Sequence, residues 1–336
     1  MADIEASLTT RVTQISLGAH VLAAAVLESA CVYALADGAI VFVEGGREIR
    51  RAIAHPDATI LVVCADSRRL VTGGDDGRII ATDAAGRCEE ISHERGKWID
   101  AVASRADGAV AWSFGKEVRA RDAKGAIRTL AAPSSVRGLA FFAKGYRLAL
   151  AHYNGVSLWF PNATAVPETL EWRGSHLGVT LSADGRFAVS SMQESALHGW
   201  RIADRKNMRM TGYPSKTRSF SWSHDGDWLA TSGAEACIIW PFASKDGPMG
   251  TAPRELGARP ARVSQVAFHP KSSHVAVGYD DGWILLCRLG DGAELVVRSP
   301  PPETKQGVSA LSWSGSGDLL LFGTMDGTAG VLDMPS

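Results

Sequence analysis

One hairpin pattern recurs along the whole chain, and that recurrence constrains the fold more than any other feature. Residues 70–83 read LVTGGDDGRIIATD, residues 275–289 VAVGYDDGWILLCRL and residues 321–333 LFGTMDGTAGVLD. Each is a short apolar strand, a tight acidic–glycine turn and a second alternating strand, which is the signature of a β-hairpin. Related segments are 32–43 (VYALADGAIVFV), 109–122 (AVAWSFGKEVRARD), 148–160 (LALAHYNGVSLWF), 187–201 (FAVSSMQESALHGWR) and 228–241 (WLATSGAEACIIWP). Their turns are anchored at Asp37, Asp76, Lys116, Asn154, Glu194, Glu235, Asp281 and Asp326, with gaps of 39, 40, 38, 40, 41, 46 and 45 residues. A period of about 41 residues fits the four-stranded blades of a β-propeller.

A second marker precedes each hairpin: an apolar strand ending in a turn. Examples are LVVCADS (61–67), VTLSADG (179–185), FSWSHDG (220–226) and LSWSGSG (311–317). Alternation there suits a strand with a neighbouring blade on each side. Each unit therefore supplies three strands and a more variable fourth. The expectation is an all-β, single-domain propeller over residues 1–336, with eight blades favoured and seven the alternative. The units span about 17–54, 55–92, 93–132, 133–172, 173–212, 213–257, 258–300 and 301–336. The last unit reaches Asp333-Met-Pro-Ser without room for a fourth strand, while residues 9–16 (TTRVTQIS) read as a lone strand before the first. The N-terminal strand is expected to complete the last blade and close the ring, removing an open edge.

The pattern resembles the Trp-Asp (WD) repeat family over essentially the full chain. In that family a histidine before the first strand, a Ser or Thr on the second, an Asp in the turn and a Trp on the third form a hydrogen-bonded chain. The resemblance assigns structural roles here to His20, His55, His93 and His176 in the loop, and to Thr72 and Ser190 on the second strand. It assigns the turn to Asp76, Glu194 and Asp326, and the third strand to Trp159, Trp200 and Trp240. Val43, Thr82, Arg121, Cys287 and Leu332 replace Trp elsewhere, and no blade carries the full set. The fifth comes closest, with Glu194 in place of Asp.

Composition narrows the function classes. The formal net charge is -1, which gives no bulk footprint for nucleic acid or a membrane surface. No apolar run reaches spanning length, and residues 15–36 read as two strands and a hairpin, not an export signal. The five cysteines (Cys31, Cys64, Cys88, Cys237, Cys287) form no CxxC pair, so free thiols in a reducing, cytoplasmic compartment are expected. The histidines fall in different blades, which argues against one metal centre. The pairs Asp75-Asp76 and Asp280-Asp281 serve hairpin turns and do not converge as calcium ligands. No GxSxG elbow and no phosphate-binding GxxxxGK[ST] loop occurs.

The expected function is a non-catalytic protein-interaction scaffold acting through loops on a propeller face, as a monomeric ring with no cofactor and no metal. Candidate interaction residues are Tyr153, Asn154, Trp172, Arg173, Tyr279 and Trp283, because exposed aromatics beside arginine are common interface anchors. Trp98 also lies at a strand end or loop. The basic stretch 201–209 and the Gly/Pro-rich connection 242–262 are loop features of the same kind. Two alternatives stay open: an enzyme or small-ligand binder at the channel mouth, and a metal-linked regulatory or chaperone protein.

Overall fold

The computed structural model describes residues 7–304 and 306–334. They form strands joined by turns, with short 3-10 helices at Thr9–Arg11 and Pro302–Thr304. No helix among them is long and apolar enough to cross a membrane. The chain divides into two compact units, Met1–Ala36 with Ile40–Arg51 and Arg218–Ser336, and Asp37–Ala39 with Ala52–Thr217.

The first unit carries four antiparallel sheets, each four-stranded. One runs Val21–Leu27, Ala30–Leu35, Ala39–Glu44 and Arg47–Ile53; its residues 39 and 52–53 are shared with the other unit. The next runs Phe220–Trp222, Trp228–Thr231, Cys237–Pro241 and Arg254–Leu256. Another runs Val263–Phe268, His274–Tyr279, Ile284–Arg288 and Glu294–Arg298. The last joins Val308–Trp313, Leu319–Thr324 and Thr328–Asp333 to the N-terminal strand Val12–Ser16. That strand pairs antiparallel along Thr328–Asp333, from Val12 opposite Leu332 to Ser16 opposite Thr328. The N-terminal strand thus completes the C-terminal sheet, and the carbonyl and amide edge of Thr328–Asp333 is covered.

The second unit holds two four-stranded sheets and one six-stranded sheet. The four-stranded ones are Ile60–Ala65, Arg69–Gly74, Arg78–Asp83, Cys88–His93 and Ala101–Ser104, Val110–Phe114, Glu117–Arg121, Ile127–Ala131. The six-stranded one runs Gly138–Phe141, Leu148–Trp159, Glu168–Leu181, Phe187–Met192, Leu197–Arg201 and Lys206–Met210.

The described residues therefore form seven sheets, which corrects the favoured count of eight blades to the alternative of seven. The physical reason lies in the fourth and fifth units. The 14-residue strand Glu168–Leu181 pairs with Leu148–Trp159 through its first half and with Phe187–Met192 through its second. The fourth strand of one unit and the first strand of the next are thus one continuous strand, which links the ladders of both units into one strand order. Register shifts between Tyr153 and Gly155 and between His176 and Val179 absorb the change of partner.

Burial follows sheet position. Inner strands are buried along both faces: Phe187–Met192 throughout, and Ala39–Glu44 up to its last residue. Burial on both faces replaces alternation with continuous apolar runs. Outer strands such as Arg47–Ile53 and Ile127–Ala131 are mostly exposed. In the first unit, Cys237, Ile239 and Leu256 pack on Val266, Val275, Val277 and Leu285 of the next sheet. In the second, Val71, Ile79 and Ala81 pack on Val102, Val110 and Trp112. Each such large apolar side chain contributes about 1.5–3 kcal/mol on burial, so these face-to-face layers carry the stability.

Candidate functional site

The candidate site lies on the six-stranded sheet, at the tip where Leu148–Trp159 reverses. His152 Nε2 lies 2.8 Å from Ser157 Oγ. Five residues of extended chain span roughly 16 Å, so this contact requires the backbone to double back between them. Asn154 takes φ +68° and Gly155 φ +148°, the left-handed excursions a two-residue reversal demands. A Cβ on Gly155 would sit 2.4 Å from the Leu170 carbonyl oxygen, so only glycine fits against the adjoining strand.

Four of the six sequence-predicted interaction residues converge there. Tyr153, Asn154, Trp172 and Arg173 line one cleft of ≈ 770 Å³ with Pro133, Ser134, His152, Thr169 and Glu171. The Tyr153 amide donates to Ser134 Oγ at 2.8 Å, tying the tip to the preceding loop. The Gly174 amide donates to Asn154 Oδ1 at 3.3 Å, tying it to the following strand. Tyr153 itself is 53% exposed. Trp172 is half-buried and stacks on His198 with ring centroids 3.9 Å apart and planes 15° apart. Arg173 and Glu171 are exposed, and neither has an ion pair among the described residues.

Two imidazoles beneath this cleft, those of His152 and His176, are committed to internal bonds. His152 Nδ1 donates to the Tyr153 carbonyl at 2.9 Å, which leaves Nε2 to accept from Ser157. His176 Nε2 donates to the Trp172 carbonyl at 2.9 Å, so Nδ1 accepts from Ser190 Oγ at 2.7 Å. Burial lowers the pKa of both below the usual histidine value. His198 is fully buried, both its ring nitrogens lack a hydrogen-bond partner, and burial, then His176 and Arg209, push its pKa down to about 3. Burial keeps all three rings neutral, and the bonded nitrogens of His152 and His176 present no free base to the cleft.

Two predicted interaction residues lie elsewhere. Tyr279 is completely buried, and its hydroxyl donates to the Gly257 carbonyl, so it is a core residue and not a surface anchor. The reason is its position at the end of an inner strand, where the neighbouring sheet covers it. Trp283 is half-buried; the Arg259 guanidinium sits 3.8 Å over its ring and lies 3.7 Å from Asp281. Both belong to the first unit and neither lines the cleft.

The predicted structural residues divide in the same way. His55 is fully buried, with Nδ1 3.1 Å from Asp76 Oδ1 and Nε2 2.8 Å from Thr72 Oγ1. Glu194 bonds the Ser175 amide at 3.2 Å and not His176. Asp326 accepts from the Thr324 hydroxyl and the Thr328 amide. Trp159, Trp200 and Trp240 are buried. His20 and His93 are only half-buried, with no side-chain partner among the described residues. In the third unit the interior position falls to Glu94, one residue after His93. Glu94 is 6% exposed and accepts from Trp112 Nε1 and from Arg119, each at 2.9 Å. Sequence reasoning missed it because a glutamate in that loop reads as solvated. The available signal was Trp112 two strands on, an indole donor needing an acceptor.

Comparison with known proteins adds to this geometry. Residues 266–336 match the family model described as the anaphase-promoting complex subunit 4 WD40 domain. A stretch of 123 residues is 25% identical to the periodic tryptophan protein 2 homolog of Caenorhabditis elegans, covering 35% of this chain and 13% of that protein. Over residues 266–336 the chain is thus similar to a WD40 domain. Its fold is similar to the crystal structure of the computationally designed Ika8 protein, at a TM-score of 0.76 and 18% identity over 95% of this chain and 99% of that one. The four-stranded sheets are propeller blades, and the cleft around Tyr153 opens at the hairpin tip of the fourth unit.

A second cleft in the same unit, of ≈ 620 Å³, is lined by Gly96, Lys97, Trp98, Asp100, Phe114, Gly115, Lys116, Glu117 and Ala131. Ala131 lies two residues before Pro133 of the first cleft, so the two flank one loop. No group of three or more His, Cys, Asp or Glu residues placed to hold a metal occurs among the described residues.

Proposed function

We propose that this WD-repeat protein is a non-catalytic protein-interaction scaffold of the cytoplasm, and that Tyr153, Asn154, Trp172 and Arg173 form a docking site for a partner protein. The observation that carries this reading is convergence. An exposed tyrosine, a tryptophan held by stacking and an unpaired arginine, from two strands, meet in one cleft on a hydrogen-bonded frame. Aromatic and arginine anchors held in place before binding lose little entropy on association. The committed imidazoles favour recognition over acid–base chemistry at this cleft. The similarity to a domain named for a subunit of a multiprotein complex supports the same reading.

The test is affinity capture from source-cell lysate with mass spectrometry, comparing the native chain with a Tyr153→Ala, Arg173→Glu variant. Both residues are exposed, so the variant retains its fold. A partner captured by the native chain and lost with the variant supports the site. A partner retained by the variant places docking elsewhere, and capture of none favours a small-ligand role.

A further inference from the structure

Among the described residues Trp98 is the only exposed tryptophan, with 70% of its surface in water. It sits at the mouth of the ≈ 620 Å³ cleft beside Phe114 and Ala131. Gly96 and Gly115 hold positive φ of +69° and +56°, and a Cβ on either would meet nothing within 4 Å. The backbone there is bare and open, so an incoming chain can approach it closely.

The charges around Trp98 are unbalanced once internal pairs are removed. Asp100 is engaged by the Gly115 amide at 2.6 Å and by Arg137 at 2.9 Å. Glu117 is engaged at 2.7 Å by Arg119, which also pairs with the buried Glu94. Lys97 and Lys116 line the same cleft, are exposed, and have no ion pair among the described residues. Arg95, one residue beyond Gly96, is likewise exposed and unpaired. The unpaired Lys97, Lys116 and Arg95 outnumber the one carboxylate charge that the shared Arg119 leaves over, so the cleft is complementary to negative charge.

We infer that this second cleft binds an acidic, extended segment of a partner protein: an apolar side chain seats on Trp98 and flanking carboxylates meet Lys97 and Lys116. Burying an aromatic anchor inside a polar rim is the usual energetic arrangement of a recognition site. Nucleic acid fits less well, because backbone binding draws on many phosphate contacts and the chain as a whole carries a charge of -1. This inference shares the scaffold reading but uses different residues from the Tyr153 cleft, so the two fail separately.

The experiment is binding of the full chain to an array of immobilised peptides graded in Asp and Glu content, with a labelled single-stranded oligonucleotide beside it. Four proteins are compared: native, Trp98→Ala, Lys97→Glu with Lys116→Glu, and Tyr153→Ala with Arg173→Glu. The native chain is expected to prefer acidic peptides carrying an apolar residue, with binding that weakens as salt rises. Trp98→Ala is expected to weaken it about tenfold or more. The charge reversal is expected to switch the preference to Lys- and Arg-rich peptides, a change that damage to the fold does not produce. Absence of acidic preference, or acidic peptides bound equally by the charge-reversed protein, overturns the inference. Acidic peptides lost only with Tyr153→Ala, Arg173→Glu also overturn it and leave the Tyr153 site standing. Oligonucleotide binding without peptide binding replaces it with a nucleic-acid interface.

Discussion

Trp112 Nε1 donates to Glu94 Oε1 at 2.9 Å, and the carboxylate also takes Arg119 NH1 at 2.9 Å and the Ser92 hydroxyl at 2.9 Å. One buried acid thus joins the end of a blade to an inner strand of the next, doing with a carboxylate what His55 does with Thr72 and Asp76. Glu94→Ala orphans a buried indole N–H and leaves the half-buried Arg119 with Glu117 alone. A loss of about 2 kcal/mol is expected, read as a lower urea midpoint. Glu94→Gln keeps an acceptor for Trp112 and is expected to lose less.

Acid stability is expected to follow the histidines. Burial lowers the pKa of His55, His152, His176, His198, His269 and His274 in the folded state. In the unfolded chain they titrate near 6.5, so below that pH the unfolded state binds more protons than the folded one. Their contribution is therefore complete above about pH 6.5 and is lost as pH falls toward the folded values. The loss tied to His198 continues to about 3. Urea midpoints measured across this range are expected to fall with acidification. His198→Phe, which removes two unpartnered ring nitrogens, is expected to flatten the slope. An unchanged slope counts against His198 as a contributor.

Tyr153 and Trp172 share a cleft but differ in what they support. Tyr153→Ala trims an exposed ring and is expected to leave stability within about 0.5 kcal/mol. Trp172→Ala uncovers His198, the ring it stacks on at 3.9 Å, and is expected to cost about 2–3 kcal/mol. Thermal melts of the two variants separate docking from framework. Equal melts show that the stacking carries no stability.

Tyr279→Phe removes the hydroxyl that donates to the Gly257 carbonyl and leaves a buried acceptor without that bond. A loss of about 1 kcal/mol is expected, checked by denaturant unfolding, with partner binding at the Tyr153 cleft unaffected. A change in partner binding at native stability returns Tyr279 to the surface role its sequence context suggested.

Much of this was legible in the residues. The turn anchors from Asp37 to Asp326 recur with nearly constant spacing, because each blade repeats the same local turn and strand chemistry. Hairpin alternation, the buried strand tryptophans and the lone N-terminal strand followed from that periodicity, and so did Tyr153, Asn154, Trp172 and Arg173 as singular residues near turns. Local sequence encodes local backbone, and those features are local.

Tertiary structure alone decided the rest. Linkage of the fourth and fifth units through one strand depends on the two hydrogen-bond edges that the halves of Glu168–Leu181 meet, which its own residues do not specify. Tyr279 and Trp98 both look like exposed aromatics beside turns, yet one is fully buried and the other 70% exposed, because only Tyr279 is covered by an adjoining blade. Glu94 became an interior acceptor because Trp112, eighteen residues away, delivers a donor to it. The sequence determined what each blade is, through turn and strand propensities acting over a few residues. Which side chains meet was settled by packing between blades, where burial and hydrogen-bond satisfaction join residues the chain keeps apart.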